Sequence, residues 1–371
     1  MSKSFYYFTA SNALSRIAFE LVGVFGILDF YVLFGNSLII SFSIFSLIYI
    51  LYPLFAFFVV PIIQKFGTKK SILIGIALTI LSVIPLGYVY TKNWLIIALW
   101  VILTTASKVF FYIPFHYYSV KYTQGKQMGK QISFINIMLL LSQIIAPILG
   151  GFVTQFAGLG GIAVLTMFFA ILSVFPLLKI EDYRIRVSRR IFDLIYQPEI
   201  QQSLKILFVD QIQAKENFWS LFIFIFVGSS FSNYGILMSV IMFGIVPLLF
   251  YFGRFSDHHN KKFLLKIQGV ITSFLWFIRL AVNNLIGIIV VDAIHKVNYQ
   301  VRSQTMGLIL YDLANKQNQD NLLDEKLIIR ESFDNLFYGL MMLIGVVIAY
   351  FFGFSGVFFI SGLTALLFVA V

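Results

Sequence analysis

Asp292, His295, Lys296, Tyr299 and Arg302 follow one another at steps of 3, 1, 3 and 3, so a helix would carry all five on one face. Thr104, Lys108, Tyr112 and His116 recur every fourth residue and make a second polar stripe. Asp210, Gln213, Glu216, Asn217 and Ser220 make a third, and Arg16 and Glu20 are i, i+4 neighbours able to pair. Carboxylates, imidazole and amines grouped this way can exchange protons, neutralise one another or hold a polar solute. Of these acids, Glu20, Glu216 and Asp292 are best placed to take up and release a proton. Signatures of covalent chemistry are missing. The chain has no cysteine, no H-E-x-x-H, no G-x-S-x-G and no EF-hand pattern, and no Walker A loop through which ATP could drive it. His258 and His259 are adjacent and would point to different faces of a helix. No catalytic residue, metal or cofactor is expected.

These groups sit in an apolar background. Of the 371 residues, 60% are apolar and 12% charged, whereas about 25% charged is usual for a soluble domain. A water-soluble fold could not bury this much Phe, Ile and Leu. In hydrocarbon the backbone must be satisfied within each segment, which leaves helices or closed barrels. The apolar runs here are unbroken and of helix-spanning length rather than short and alternating, so helices are expected. The spans fall at 11–34, 37–63, 71–90, 94–120, 131–156, 160–178, 206–228, 232–252, 263–282, 285–311, 328–352 and 354–371. A lipid bilayer is therefore the expected surrounding. A charge at its centre costs about 2.5–3.5 kcal/mol on insertion scales, so charges retained there should face water or partners. The four polar groupings fall in spans 1, 4, 7 and 10. Asp29 is expected at the surface near an outer boundary, Arg279 is expected to snorkel to the outer face, and His116 to lie at the interface. Glu331 and Asp334, near the inner end of span 11, suit packing or gating.

The net charge of +11 could suggest nucleic acid, but its distribution points elsewhere. One set of alternating loops holds nearly all the Lys and Arg outside the spans, and the other holds Lys92 alone. Basic loops stay in the cytoplasm, which places both termini inside. The N-terminus reads as a first span that directs insertion, not as a removable signal. Residues 179–205 form the longest connection, with Arg interleaved among Ile, Phe and Leu at helical spacing, as an interfacial helix would show. A solvated linker accounts for the same residues.

The sequence also echoes itself at half its length. The turn 60–70 and the turn 253–262 align Lys69 with Lys262 and Gly67 with Asn260. QISFINIM (131–138) resembles RESFDNLF (330–337), and Lys108 corresponds to Arg302. Two parallel six-span halves follow, 1–178 and 206–371, joined by the linker 179–205. On these features the chain resembles the major facilitator superfamily. Its loop motif G-x-x-x-D-R-x-G-R-K is matched in the second copy by Gly253, Asp257, Lys261 and Lys262, with His258 and Asn260 departing. The first copy keeps Lys65, Gly67 and Lys69 but has Val60 and Gln64 in place of Gly and the acid. Span 5 resembles the superfamily's antiporter motif through Pro147, Gly150 and Gly151, with Ser133, Ser142 and Ala146 where upstream glycines stand. Plain helix packing is the alternative for those small residues, and a solvated turn acid is the alternative for Asp257 as a conformational lock.

The resemblance implies two six-helix bundles that rock to give alternating access. It also implies a bacterial cytoplasmic-membrane location, and a cavity lined by spans 1, 4, 7 and 10. The expected cavity residues are Arg16, Glu20, Thr104, Lys108, Tyr112, Gln213, Glu216, Asn217, Asp292, His295, Lys296, Tyr299 and Arg302. The partners are a small solute and protons, with antiport favoured by the span-5 motif; a monomer is expected. Two rival readings stand beside transport. A membrane enzyme would need an acidic or His-rich loop, and the external loops are short and nearly uncharged. A sensor or scaffold would have its polar stripes mutually sealed.

Overall fold

The computed structural model describes residues 2–122, 128–185, 187, 191–212, 216–256, 261–315 and 323–370. Among these residues every regular element is a helix, as hydrocarbon demands of apolar backbone. The helices are α1 (Lys3–Glu20), α2 (Gly26–Leu33), α3 (Leu38–Ile50), α4 (Tyr52–Phe66), α5 (Thr68–Gly87), α6 (Trp94–Tyr122) and α7 (Met128–Leu177). They continue with α8 (Pro198–Gln211), α9 (Glu216–Phe226), α10 (Phe231–Ser256), α11 (Lys261–Arg279), α12 (Leu285–Asn315) and α13 (Leu323–Ala365). Serines open two of them: Ser2 accepts from the Phe5 amide and Ser37 from the Ile40 amide. A five-residue π-helical turn, Leu21–Phe25, links α1 to α2 directly after Glu20. Such turns concentrate at functional positions.

Among the described residues, six helices are long and apolar enough to cross a membrane: Leu38–Phe66, Thr68–Thr91, Trp94–Tyr122, Phe134–Leu177, Phe231–Leu248 and Glu325–Val369. At 50 residues, α7 would be about 75 Å long if straight, over twice the hydrocarbon thickness of about 30 Å. It is broken at Gly158, whose φ of 55° and ψ of −151° are outside the helical region and suit a residue without Cβ. The same break recurs in α13 at Gly353 (φ 65°, ψ −167°). Both breaks fall where the apolar runs were expected to divide, between 156 and 160 and between 352 and 354. Of the helices that carry polar stripes, α1, α8, α9 and α12 fall outside the six, whereas α6 is among them. In α12 the 31-residue length suffices, but Asp292, Lys296 and Arg302 interrupt the apolar run.

Two compact units result, 1–188 with 230–239, and 189–229 with 240–371. In the first, α1 lies along α7, and α5 packs on α6 and α7. The core joins Phe8, Ile72, Ile76, Phe111, Tyr118 and Leu177. The small residues of α7 serve two neighbours. The Ser142 hydroxyl lies 3.0 Å from the Ala13 carbonyl, Ala146 is buried, and a Cβ on Gly150 would strike the Phe25 ring. On the adjoining face, a Cβ on Gly151 would sit 2.6 Å from the Phe231 carbonyl and 3.0 Å from Gly235. In the second unit α11 packs on α12 and α13, and α8 on α13 and α12, around Ile206, Leu207, Leu265, Met306 and Phe368.

Asp29 is a correction. It is not a surface residue but 6% exposed, because the Tyr90 hydroxyl donates to its Oδ2 at 3.0 Å. That hydroxyl also accepts the Leu159 amide at 2.8 Å, tying the α2 acid to the Gly158 break.

Candidate functional site

Glu216 opens α9, where the free amides of a helix N-terminus favour an anion. Arg279, the last residue of α11, grips it with both arms: Nη1 to Oε1 at 2.6 Å and Nη2 to Oε2 at 3.2 Å. His295 on α12 places Nε2 2.7 Å from the same Oε1. One turn earlier, Asp292 accepts from Trp219 Nε1 at 3.1 Å, lies 3.8 Å from Arg279 Nη2 and pairs with Lys296 at 3.6 Å. The Arg279 guanidinium is stacked between Trp219 and Trp276, 4.5 and 4.2 Å from their ring centroids. Five ionisable groups thus form one network, with the Arg279 side chain fully buried and Glu216 30% exposed. Fork-shaped pairing of this kind is both strong and geometrically strict. Arg279 therefore does not snorkel, contrary to expectation. Its neighbours are two carboxylates and two indoles, a better environment than the interface offers.

The α12 stripe divides between two sites. Asp292, His295 and Lys296 join the network, whereas Arg302, fully buried, pairs with Asp210 of α8 at 3.3 Å and donates to Thr272 at 3.0 Å. Asn298 donates to Thr272 and to the Gln268 carbonyl beside it. Tyr299 stacks on Arg302, 5.4 Å away, and stays exposed. Asn217 turns to α13, donating to Tyr338 at 2.7 Å. Gln213 lies outside the described residues.

In the first unit Arg16 donates to the Tyr112 hydroxyl at 2.9 Å and approaches Glu20 no closer than 3.8 Å. Lys108 rests over the Tyr49 ring at 4.1 Å, and Tyr49 lies within electrostatic reach of Glu20 and Arg16. Thr104 is half-buried one turn before Lys108, and His116 stacks on Tyr112 with centroids 6.3 Å apart. Helices α1, α3 and α6 bring Arg16, Tyr49, Lys108 and Tyr112 into one patch.

Residues 8–238 match the sequence profile of the Major Facilitator Superfamily. The chain belongs to that superfamily. No curated protein matches the chain. Solved structures with the same fold include a POT family transporter in complex with a thioalcohol-conjugated peptide (TM-score 0.77, 10% identity, covering 99% of this chain and 94% of that one). A D-xylose–proton symporter gives 0.75 at 12% identity, covering 99% and 96%. The human organic anion transporter MFSD10 gives 0.74 at 12% identity, covering 99% and 98%. As a member of the superfamily the chain is a multi-pass membrane transporter rather than an enzyme.

The superfamily's loop and span-5 positions are distributed as follows. Gln64 donates to the Val187 carbonyl at 3.0 Å, Lys65 lies exposed beside the Phe66 ring, and Gly67 takes φ +92°. The Lys69 ammonium donates to the Leu178 and Ile180 carbonyls at 2.7 and 2.9 Å. Pro147 presents its carbonyl to Gly235, alongside Gly150 and Gly151. Gly253 lies in α10 and Lys261 and Lys262 open α11, but Asp257 lies outside the described residues. On α13, Asp334 accepts from Gln211 at 2.6 Å and Glu331 accepts from Asn335.

Several site residues escape sequence reasoning. Trp219 stands three residues after Glu216 and Asn298 three after His295, so helical spacing could have found both. Asp182 has no local signal, since its partner lies 113 residues away.

Proposed function

We propose that this chain is a twelve-span secondary active or facilitative transporter of a small solute, with bundles over 1–178 and 206–371, a linker at 179–205 and both termini in the cytoplasm of a cell membrane. It works as a monomer by alternating access. The solute and coupling-ion contacts are Arg16, Glu20, Thr104, Lys108 and Tyr112 from the first half, and Gln213, Glu216, Asn217, Asp292, His295, Lys296, Tyr299 and Arg302 from the second. The observation that carries this reading is the five-member ionic network of Glu216, Arg279, Asp292, His295 and Lys296; on the twelve-span reading its helices lie in the membrane, where charge persists only where function or pairing sustains it.

Proton-coupled antiport is the form of transport proposed. Protonating Glu216 would strand the buried Arg279, and removing one partner of a buried pair costs about 3–5 kcal/mol. Asp292 is held by Trp219, Arg279 and Lys296. Glu20 lies 3.8 Å from Arg16 Nε and is partly exposed, so of the three acids it is the one held by the loosest ion pair and is the coupling site proposed. The test is solute exchange in proteoliposomes, using a solute found by thermal stabilisation of the purified protein. An imposed pH gradient should drive wild-type flux, and Glu20→Gln should keep exchange while losing the response to the gradient. A wild-type flux indifferent to pH, or unchanged coupling in Glu20→Gln, Glu216→Gln and Asp292→Asn alike, would remove proton coupling.

A further inference from the structure

Helix α5 begins at Thr68 with no capping side chain at Gly67, and Gln64 stands in the loop where an acid was expected. The anion comes from the segment that follows α7. Asp182 Oδ1 accepts the Lys69 amide at 2.8 Å and lies 3.5 Å from the Thr68 hydroxyl. This satisfies one of the free first-turn donors of α5 and places negative charge at its positive end. Both Asp182 oxygens sit 2.7 Å from where a Cβ on Gly67 would stand, so room as well as φ requires glycine there.

The contact is the centre of a longer seam. The Thr68 amide donates to the Tyr183 carbonyl at 2.7 Å, and the Tyr183 amide returns a bond to the Thr68 hydroxyl at 3.2 Å. The Lys69 ammonium takes the Leu178 and Ile180 carbonyls at the end of α7. Tyr118 donates to the Glu181 carbonyl at 2.5 Å, and the Lys121 ammonium sits 3.0 Å from the Tyr183 ring centroid. Tyr183 donates in turn to Glu181 Oε2 at 2.6 Å, and burial together with that bond pushes its hydroxyl pKa up. Gln64 closes the seam on Val187. Residues 178–185 and Val187 are therefore stitched to the ends of α4, α5 and α6. Beyond them, Leu194 packs with Ile200 and Ile329 in the second unit.

We propose that Asp182 is a positioning residue of the transport cycle. It supplies from the connecting segment the helix-capping anion that the 60–70 loop lacks, and thereby fixes residues 178–185 and Val187 on the first unit. The chain left between Val187 and Ile191 reaches at most about 14 Å, against about 45 Å for the whole of 179–190 if it were released. The latch so sets how far the chain can pay out when the units exchange conformations. Only this last consequence rests on the transporter reading; the latch itself does not.

The chain has no cysteine, so spin labels can be placed at will. The pair Lys70→Cys and Arg184→Cys reports the latch, and the pair Phe66→Cys and Gln202→Cys reports the separation of the units. In lipid nanodiscs the 70–184 distance distribution should be narrow in the otherwise native chain and at least twice as broad with Asp182→Ala or Asp182→Asn. Asp182→Glu should restore the narrow form. The 66–202 distribution should broaden with the Ala and Asn variants alone. An unchanged 70–184 width in Asp182→Ala overturns the latch. A broadened 70–184 with an unaltered 66–202 overturns the positioning role while leaving the cap intact, and neither arm depends on a solute being known.

Discussion

Replacing Arg279 by alanine separates two accounts of the second unit. The side chain is fully buried, forked onto Glu216, 3.8 Å from Asp292 and stacked between two tryptophans. Removing it leaves Glu216 with His295, and Asp292 with Trp219 and Lys296. Breaking a buried pair costs about 3–5 kcal/mol, and the 30% exposure of Glu216 places this case near the lower end, about 3 kcal/mol. Loss of the stacked guanidinium adds about 1 kcal/mol. The expected destabilisation is thus about 4 kcal/mol. Arg279→Lys keeps the charge but cannot fork and should lose about 2 kcal/mol. In a double-mutant cycle with Glu216→Gln the two changes should couple by about 2 kcal/mol. Equilibrium unfolding of the purified protein in bicelles measures all four corners. A loss below about 0.5 kcal/mol in Arg279→Ala, with lysine equivalent to arginine, would mean that the guanidinium rests at the membrane surface as its sequence position suggests, and the network would fall with it.

Three further changes test the packing around the site. Gly151→Ala should destabilise by about 2 kcal/mol through overpacking, because its Cβ meets backbone at 2.6 Å, whereas Gly160→Ala meets nothing within 4 Å and should be neutral or stabilising by up to about 1 kcal/mol; equal melting temperatures would refute the contact. Tyr90→Phe removes the donor to Asp29 and the acceptor of the Leu159 amide, with an expected loss of about 1–3 kcal/mol read as a lower melting temperature; an unchanged one would show Asp29 solvated after all. Thr272→Val strips a shared partner from Arg302 and Asn298 and should destabilise by about 1–3 kcal/mol, while a shift within 0.5 kcal/mol would show those groups satisfied elsewhere.

The apolar runs made the helices legible, because a segment of about twenty apolar residues has few other places to go. Even the division of α7 and α13 at Gly158 and Gly353 could be read from the run lengths. The polar faces were legible for the same reason: Asp292, His295 and Lys296 stand out against hydrocarbon and their spacing is helical. Proximity to an expected boundary misled twice. Asp29 and Arg279 sit near the ends of apolar runs, where exposure is the safer guess, yet each has buried partners on other helices. Arg302 shares a face with His295 but pairs with Asp210 rather than Glu216, since one helical face can touch different neighbours along its length. Asp182 shows the limit most clearly. Its role is set by a helix start far back in the chain, and no local pattern records that.

The claim on which the functional reading rests is that the ionisable side chains line a wet route rather than lipid or sealed pockets. In the cysteine-free chain, single Lys108→Cys, Asn217→Cys and Lys296→Cys variants can be treated in proteoliposomes with a water-soluble, membrane-impermeant thiol reagent. Phe243→Cys and Val347→Cys, at exposed apolar positions, serve as lipid-facing comparisons. The account predicts labelling of the first three at least ten times faster than of the comparisons, with slowing by a solute that stabilises the protein. Labelling of residues 108 and 296 no faster than of residues 243 and 347 would contradict it.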